Sequence, residues 1–318
     1  MNIKKEYAIL AAIIIALSLY LILRSPDRTH YQLPKLPDVF RMDISKVEIS
    51  KPDTSIVLNI QDKIWYIAPQ GYPADSDKVK GILSIIENLT LTTLVSESKN
   101  YDRYDLNDDK KITVRAWAGD TLRREFDVGR AAASGKHTFV KLAGDHRVYH
   151  GQGNLRIAVD LTVERLRDKM VLSFEPPEIQ EIHITKDQES VIFIRKQVPV
   201  EVSAGQDSDA QRPPSPKSET IWQSADGKEA DTVKVNNLLA ALSNLRCQKY
   251  IDESKKEDFT KSLYTLHLKG AREYTQSLFA KTDEDAKNYP AISSENDYPF
   301  MLSARLADKI MVSPGELF

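Results

Sequence analysis

One stretch of this chain occurs twice, and that duplication constrains the fold more than any other feature. The first copy, ADSDKVKGILSIIENL, begins at Ala74; the second, ADTVKVNNLLAALSNL, begins at Ala230. Aligned without gaps they share Ala, Asp, Lys, Val, Leu, Asn and Leu, and Ile82 and Ile86 stand opposite Leu238 and Leu242. A tryptophan precedes each copy in an Ile-Trp pair, Trp65 and Trp222. In the first copy the apolar residues are Val79, Ile82, Leu83, Ile86 and Leu89; in the second they are Val235, Leu238, Leu239, Leu242 and Leu245. That spacing is one face of an amphipathic helix. Asp75 and Asp231 stand where an N-cap accepts the free N–H groups of the first turn. Burying five such side chains contributes about 8–15 kcal/mol as an upper bound, so the matched apolar positions read as core.

The period is too long for a solenoid of stacked short repeats. The expected fold class is α+β: an N-terminal transmembrane helix, then two tandem repeated domains, each an antiparallel sheet with a packed helix. The expected divisions are a membrane anchor at 1–24, a Pro-containing spacer at 25–43, a first repeat at 44–175 and a second at 176–318. Glu175-Pro176-Pro177 marks the boundary between the repeats. In the first repeat, strands are expected at 44–49, 55–60, 63–67 and 91–96, then at 112–117, 121–128, 138–142 and 147–150, with 154–172 mainly helical. In the second, 179–184, 191–195, 220–224, 263–268, 274–279 and 299–302 read as strands and 304–309 as a short helix. Residues 197–219 are rich in Ser, Asp and Pro and too poor in apolar residues to pack, which predicts a disordered insertion.

The run from Tyr7 to Leu23, YAILAAIIIALSLYLIL, carries no charge and is bracketed by Lys4-Lys5-Glu6 and Arg24. It reads as an uncleaved signal anchor contacting the lipid bilayer, at the short end for a membrane span. Lys4 and Lys5 on a short tail favour N-in, C-out. The expected location is therefore the inner (cytoplasmic) membrane, single-pass, with the bulk of the chain on the extracytoplasmic, periplasmic side.

The formal net charge of −2 argues against a nucleic-acid partner. The single cysteine, Cys247, excludes an internal disulfide and reads as a buried structural thiol. The segment from Gly129 to His137 has the glycines of a phosphate-binding loop, but five residues separate them, His137 replaces the magnesium-binding hydroxyl, and a strand follows; a hairpin loop fits better. His137 and His150 are placed on one sheet face as diagonal neighbours, with His146 at the intervening turn and no third ligand for zinc. The acidic stretch from Asp102 to Asp109 lacks calcium-loop spacing and reads as a solvated loop. No catalytic, cofactor-binding or metal-ligating residue is assigned.

The order of further elements resembles a known family. Ile-Trp65 precedes Ala74-Asp75-x-x-Lys78-Val79-x-x-Ile82-Leu83. Tyr104-Asp105-Leu106, Asp127-Val128-Gly129, Phe139-Val140-Lys141, Val148-Tyr149, Leu166-Arg167-Asp168-Lys169 and Leu172-x-Phe174 follow. The set resembles the bacterial domain-of-unknown-function family 4340, often encoded beside gliding-motility-type ABC transporters. Where its members often carry Gly, this chain has Asp105. The resemblance brings no catalytic residues and implies an envelope protein working with a transporter.

The expected function is thus a membrane-anchored, non-enzymatic accessory or binding component of an envelope complex, an ABC transporter being the partner the resemblance implies. The alternative is a cell-envelope enzyme or ligand-binding receptor using the His137/His150 face.

Overall fold

The computed structural model describes residues 5–23, 31–187, 189–199, 218–281 and 287–318. The chain forms two compact units, Met1–Arg167 and Asp168–Phe318. Ahead of the first sheet lies helix α1 (Lys5–Leu23). The first unit then contains strands β1 (Lys46–Ser50), β2 (Ser55–Gln61), β3 (Ile64–Ala68) and β4 (Tyr72–Pro73), and helix α2 (Ser76–Glu87). Next come β5 (Leu91–Ser96), β6 (Ile112–Ala118), β7 (Thr121–Ala131), β8 (His137–Leu142), β9 (Val148–Gln152), α3 (Leu155–Val159) and α4 (Val163–Leu166).

The second unit opens with β10 (Met170–Ser173), β11 (Glu181–Lys186), β12 (Glu189–Pro199) and β13 (Ser218–Ser224), then α5 (Thr232–Leu242). It continues with β14 (Asn244–Arg246), β15 (Lys249–Tyr250), β16 (Ser262–Lys269), β17 (Glu273–Phe279), β18 (Asn288–Ser293), β19 (Phe300–Ser303) and α6 (Ala304–Ile310).

The two main sheets are antiparallel throughout and share one strand order. The first runs β4-β3-β2-β1-β6-β7-β8-β9-β5 and the second β13-β12-β11-β16-β17-β18-β19-β15. Each sheet presents alternate residues to its own core. Val47, Ile49, Leu58, Ile67, Val114 and Phe126 meet the buried face of α2 in one core. Ile182, Ile184, Phe193, Trp222, Leu266 and Leu278 meet α5 in the other. The expected caps are formed: Asp75 Oδ1 accepts the N–H groups of Asp77 and Lys78 at 3.1 and 3.2 Å. Asp231 Oδ1 accepts those of Val233 and Lys234 at 3.0 and 3.1 Å.

The expected fold class needs correction in two respects. First, the units are predominantly antiparallel β with few helices, so α+β overstates the helical share. Most of that excess came from residues 154–172. Here the Asp160 N–H bonds back to Arg156 O and closes α3, and Thr162 Oγ1 caps the separate short turn of α4. β10 then pairs with β14, so the predicted single helix becomes two short turns and a strand.

Second, among the described residues no helix is long and apolar enough to cross a membrane. The expected transmembrane, single-pass helix is therefore withdrawn. α1 has 19 residues and opens on Lys5 and Glu6. Its charge-free part is about 25 Å long at 1.5 Å per residue, short of a hydrocarbon core of about 30 Å.

Three other expectations meet the structure locally. The spacer is not free where it is described: Leu33 and Leu36 pack on the first core and Val39 is buried. Of the expected insertion at 197–219, residues 197–199 and 218–219 are on β12 and β13, which pair with each other from Phe193 to Pro199; 200–217 lie outside the described residues. The expected boundary at 175–176 moves to Arg167–Asp168, because β10 pairs within the second unit.

Candidate functional site

The Asp-x-x-Lys of the duplicated stretch is chemically arresting in sequence, and the structure gives it a structural role in both units. The Asp75 N–H donates to Leu166 O at 2.8 Å, and the Lys78 ammonium donates to Arg165 O. Likewise the Asp231 N–H donates to Leu317 O at 2.7 Å, and Lys234 Nζ to Glu316 O at 2.7 Å. A second lysine reinforces each unit from the first hairpin of its sheet. Lys51 Nζ reaches Leu161 O at 2.8 Å and Asp160; Lys186 Nζ reaches Met311 O at 3.2 Å and Ser313 Oγ at 2.7 Å. Each lysine satisfies backbone carbonyls of a short terminal turn that its own helical hydrogen bonds leave open. The turn is thereby held against the duplicated helix.

In the second unit this arrangement leaves a groove of about 790 Å³ between α5, the end of α6 and the turn Pro314–Leu317. Leu238, Ala240, Ala241, Val312 and Leu317 supply its apolar lining, and Lys234, Asn237, Lys309 and Glu316 its polar groups. A concave, mainly apolar site of this size with a few polar groups is the usual form of a ligand pocket. At the position of Ala241 the first unit has Ile85, which packs on the core there. Asn237 likewise stands where the first unit has Gly81, and Glu316 where it has Arg165. Behind the same turn, the Tyr264 hydroxyl is buried and has no hydrogen-bond partner among the described residues. Burial, and then the charge of Glu316, push that phenol well above its ordinary value.

The histidines fall as the strand register requires. Phe139 pairs with His150 and His137 with Gln152 across β8 and β9. The two imidazoles are therefore diagonal neighbours, stacked with centroids 5.2 Å apart. Burial, then the neighbouring His137, lowers the pKa of His150. His146 is exposed on the turn and offers its carbonyl to Tyr101 Oη at 3.1 Å. Among the described residues no group of three or more His, Cys, Asp or Glu side chains could hold a metal ion. The pair extends an aromatic contact with Phe139, whose ring is 5.1 Å from His150.

Beside it, Asp145 accepts Arg147 and, at 2.7 Å, the Tyr149 hydroxyl. Arg147 holds the carboxyl far below the usual carboxylate range, while burial and then Asp145 push Tyr149 up to about 12. Both groups are thus locked in the forms that hydrogen-bond, which suits a pinned turn better than proton transfer at neutral pH.

The Gly129-to-His137 segment is the end of β7 and a turn closed by the Ala132 N–H on His137 O. Cys247 is buried, and its N–H bonds to Lys169 O. The acidic stretch is more structured than its composition suggests. A 3-10 turn at Tyr101–Tyr104 leads to Asp105 in the left-handed region, φ 52°, and then to Leu106, which packs with Phe139 and Val148.

The model of the family described as Domain of unknown function (DUF4340) matches residues 65–262, more than half of the chain. The chain belongs to that family. No curated protein and no solved structure matches it. The DUF4340 match begins at Trp65 and takes in both tryptophans and both capped helices. The geometry explains why the resemblance rests on the residues it does. Gly129 is required because a Cβ there would lie 2.1 Å from Tyr104 O. Asp105 occupies a backbone conformation that favours glycine. Asp127 is buried and binds Thr113 Oγ1 at 2.7 Å and Lys141 Nζ at 2.8 Å. The buried Arg167 guanidinium lies 3.7 Å over the Tyr72 ring. These DUF4340 motifs are parts of the scaffold. The groove escaped sequence reasoning because its lining comes from segments about seventy residues apart, and its only local signal is the pair of small residues Ala240 and Ala241 on an otherwise matched helix.

Proposed function

We propose that the protein is a non-enzymatic accessory component of an envelope complex of the ABC-transport type, held at the extracytoplasmic face of the membrane by α1 and binding through the groove of the second unit. The observation that carries the reading is the groove itself, a concave and mainly apolar cleft between α5, the end of α6 and the turn Pro314–Leu317, with Ala241 on its wall. The anchor is supported by α1, whose Tyr7, Ile9, Leu10, Ile13, Ile14 and Leu17 are each more than half exposed. Fixing a weak binding surface near a membrane partner raises its effective concentration.

The test is complementation of a null strain. The Ala241→Ile chain, folded and at native level, is expected to lose function, and so is a chain lacking Met1 to Arg24. Full activity from Ala241→Ile would overturn the groove as the working surface; full activity from the truncated chain would overturn the anchor.

A further inference from the structure

We infer that one end of the first unit's sheet inserts its exposed apolar side chains into the interface of a lipid bilayer. The inference rests on the reading of α1 as an anchor and adds a second membrane contact, made by the folded unit itself.

Outside α1, the described residues of the first unit expose six large apolar side chains: Phe40, Met42, Ile60, Ile64, Leu122 and Ile157. All but Ile157 lie at one end of the sheet, where Ser45 ties three segments together. Its N–H donates to Trp117 O at 2.8 Å, its carbonyl accepts the Ile60 N–H at 3.1 Å, and its Oγ accepts the Gly119 N–H at 2.9 Å. Ser45 itself follows the turn Arg41–Asp43, so Phe40 and Met42 stand at the same end. Ile64 pairs with Gln61 across the β2–β3 turn, and Leu122 pairs with Trp117 beside the β6–β7 turn. The five side chains thus form a rim of adjacent turn tips. Ile157 is at the opposite end: it precedes Asp160, which holds Lys51 just beyond the far end of β1.

The occupant follows from the route of the chain. α1 ends at Leu23, and Leu33, Leu36 and Val39 are docked on the first core. The stretch from Leu23 to Leu33 spans at most about 35 Å when fully extended. Pro37 O then accepts from Arg124 on β7, and Phe40 and Met42 come next, so the docked segment delivers the chain to the rim. An anchor at α1 on so short a tether keeps the rim near the bilayer that α1 contacts.

The rim also has the composition of a bilayer interface. The Lys46 ammonium lies 4.6 Å from the centre of the Trp117 ring. Tryptophan and lysine are the residues that settle at headgroup level. Asp43, Asp62 and Asp120 stand among Lys46, Lys63 and Arg123, so the charges balance and the contact must hold by apolar insertion. A second copy of the chain would need to bury about 800 Å² on each side for a stable pairing, more than five side chains on separate turns offer.

The test uses the full chain reconstituted in vesicles of phosphatidylethanolamine and phosphatidylglycerol. The natural thiol, Cys247, is buried, so the variants Met42→Cys, Ile64→Cys and Ile157→Cys each take one nitrobenzoxadiazole label, with the unsubstituted chain as blank. Lipids spin-labelled near the headgroup are expected to quench the Met42→Cys and Ile64→Cys labels several-fold more than the Ile157→Cys label. That quenching should persist at about 1 M salt, where the Debye length is about 3 Å. Phe40→Ser combined with Leu122→Ser, both at exposed positions, should cut quenching of the Ile64→Cys label several-fold while circular dichroism and flotation with the vesicles stay unchanged. Rim labels quenched no more than the Ile157→Cys label, in chains that float with the vesicles, would overturn the inference and leave α1 as the anchor. So would rim quenching lost in salt, or unquenched rim labels that cross-link between copies, since a second copy would then cover the rim. Chains that fail to float would overturn the anchor reading, and the inference with it.

Discussion

The two units run their chains through the same strand order and hold their terminal turns with the same two lysines, yet they differ at several matched side-chain positions. At one matched sheet position the first unit buries Arg124, which donates to Ile86 O at the end of α2 and to Pro37 O. Burial lowers the pKa of that guanidinium. The second unit has Tyr274 in its place, set against Phe174 with ring centroids 5.4 Å apart. Both residues fasten the segment that leads into their unit, one through backbone carbonyls and one through a ring. At another matched position Ile85 and Ala241 each pack on their own core, and the smaller Ala241 also borders the groove. A third difference is the His137–His150 stack, where the strand register of the second unit places Asn288 and Met301. The contacts of Asp75 and Lys78 to backbone carbonyls recur at Asp231 and Lys234, because any side chain can change around a carbonyl that stays in place; those of Arg124 do not recur.

The largest expected effects test whether the two cores are separate. Leu83→Ala and Leu239→Ala should each cost about 2–5 kcal/mol in their own unit, as truncations of buried leucines do. Hydrogen exchange resolved by peptide checks this. Protection lost in both units from either substitution would break the comparison.

Next come two glycines of the first unit with opposite expectations. Gly129→Ala should cost about 1–3 kcal/mol or more, because its Cβ collides with Tyr104 O. Gly81→Ala, whose Cβ meets nothing within 4 Å on α2, should stabilise by up to about 1 kcal/mol. Urea unfolding of the two variants reads the sign directly, and the same sign for both would refute the packing argument.

The caps should behave as equals. Asp75→Ala and Asp231→Ala are each expected to cost about 1 kcal/mol. A loss at only one of them, measured by the same exchange experiment, would show that one helix does not depend on its cap.

The smallest effect concerns pH and belongs to the first unit alone. His150 titrates lower in the folded chain than its ordinary value of 6.5, by burial first and His137 second. The unfolded chain therefore takes up the proton more readily, and stability present above pH 6.5 is lost as the pH falls below it. His150→Phe should flatten that decline in thermal unfolding between pH 7.5 and pH 5.5, values chosen to bracket the ordinary histidine pKa of about 6.5. An unchanged slope would remove His150 as its source.

What the sequence determined by itself was local. The apolar spacing of 79–89 and 235–245, the aspartate caps, the tryptophan strands and the diagonal placement of His137 and His150 depend on residues a few positions apart, and helix and strand periods express them directly. The motifs of the family were also visible as motifs, although their reason, such as Gly129 lying under Tyr104 O, was not.

Tertiary structure decided everything that required distant segments to compete. The helical period of 154–172 gave way to a strand because β14 offered β10 a partner. Part of the proline spacer docked because Leu33, Leu36 and Val39 found apolar surface. The groove lies between α5 and the turn Pro314–Leu317, which burial of Leu317 and hydrogen bonds from Asp231 and Lys234 to backbone carbonyls bring together. A backbone carbonyl leaves no residue-type signature, so neither the pin nor the cavity beside it could be read from the letters.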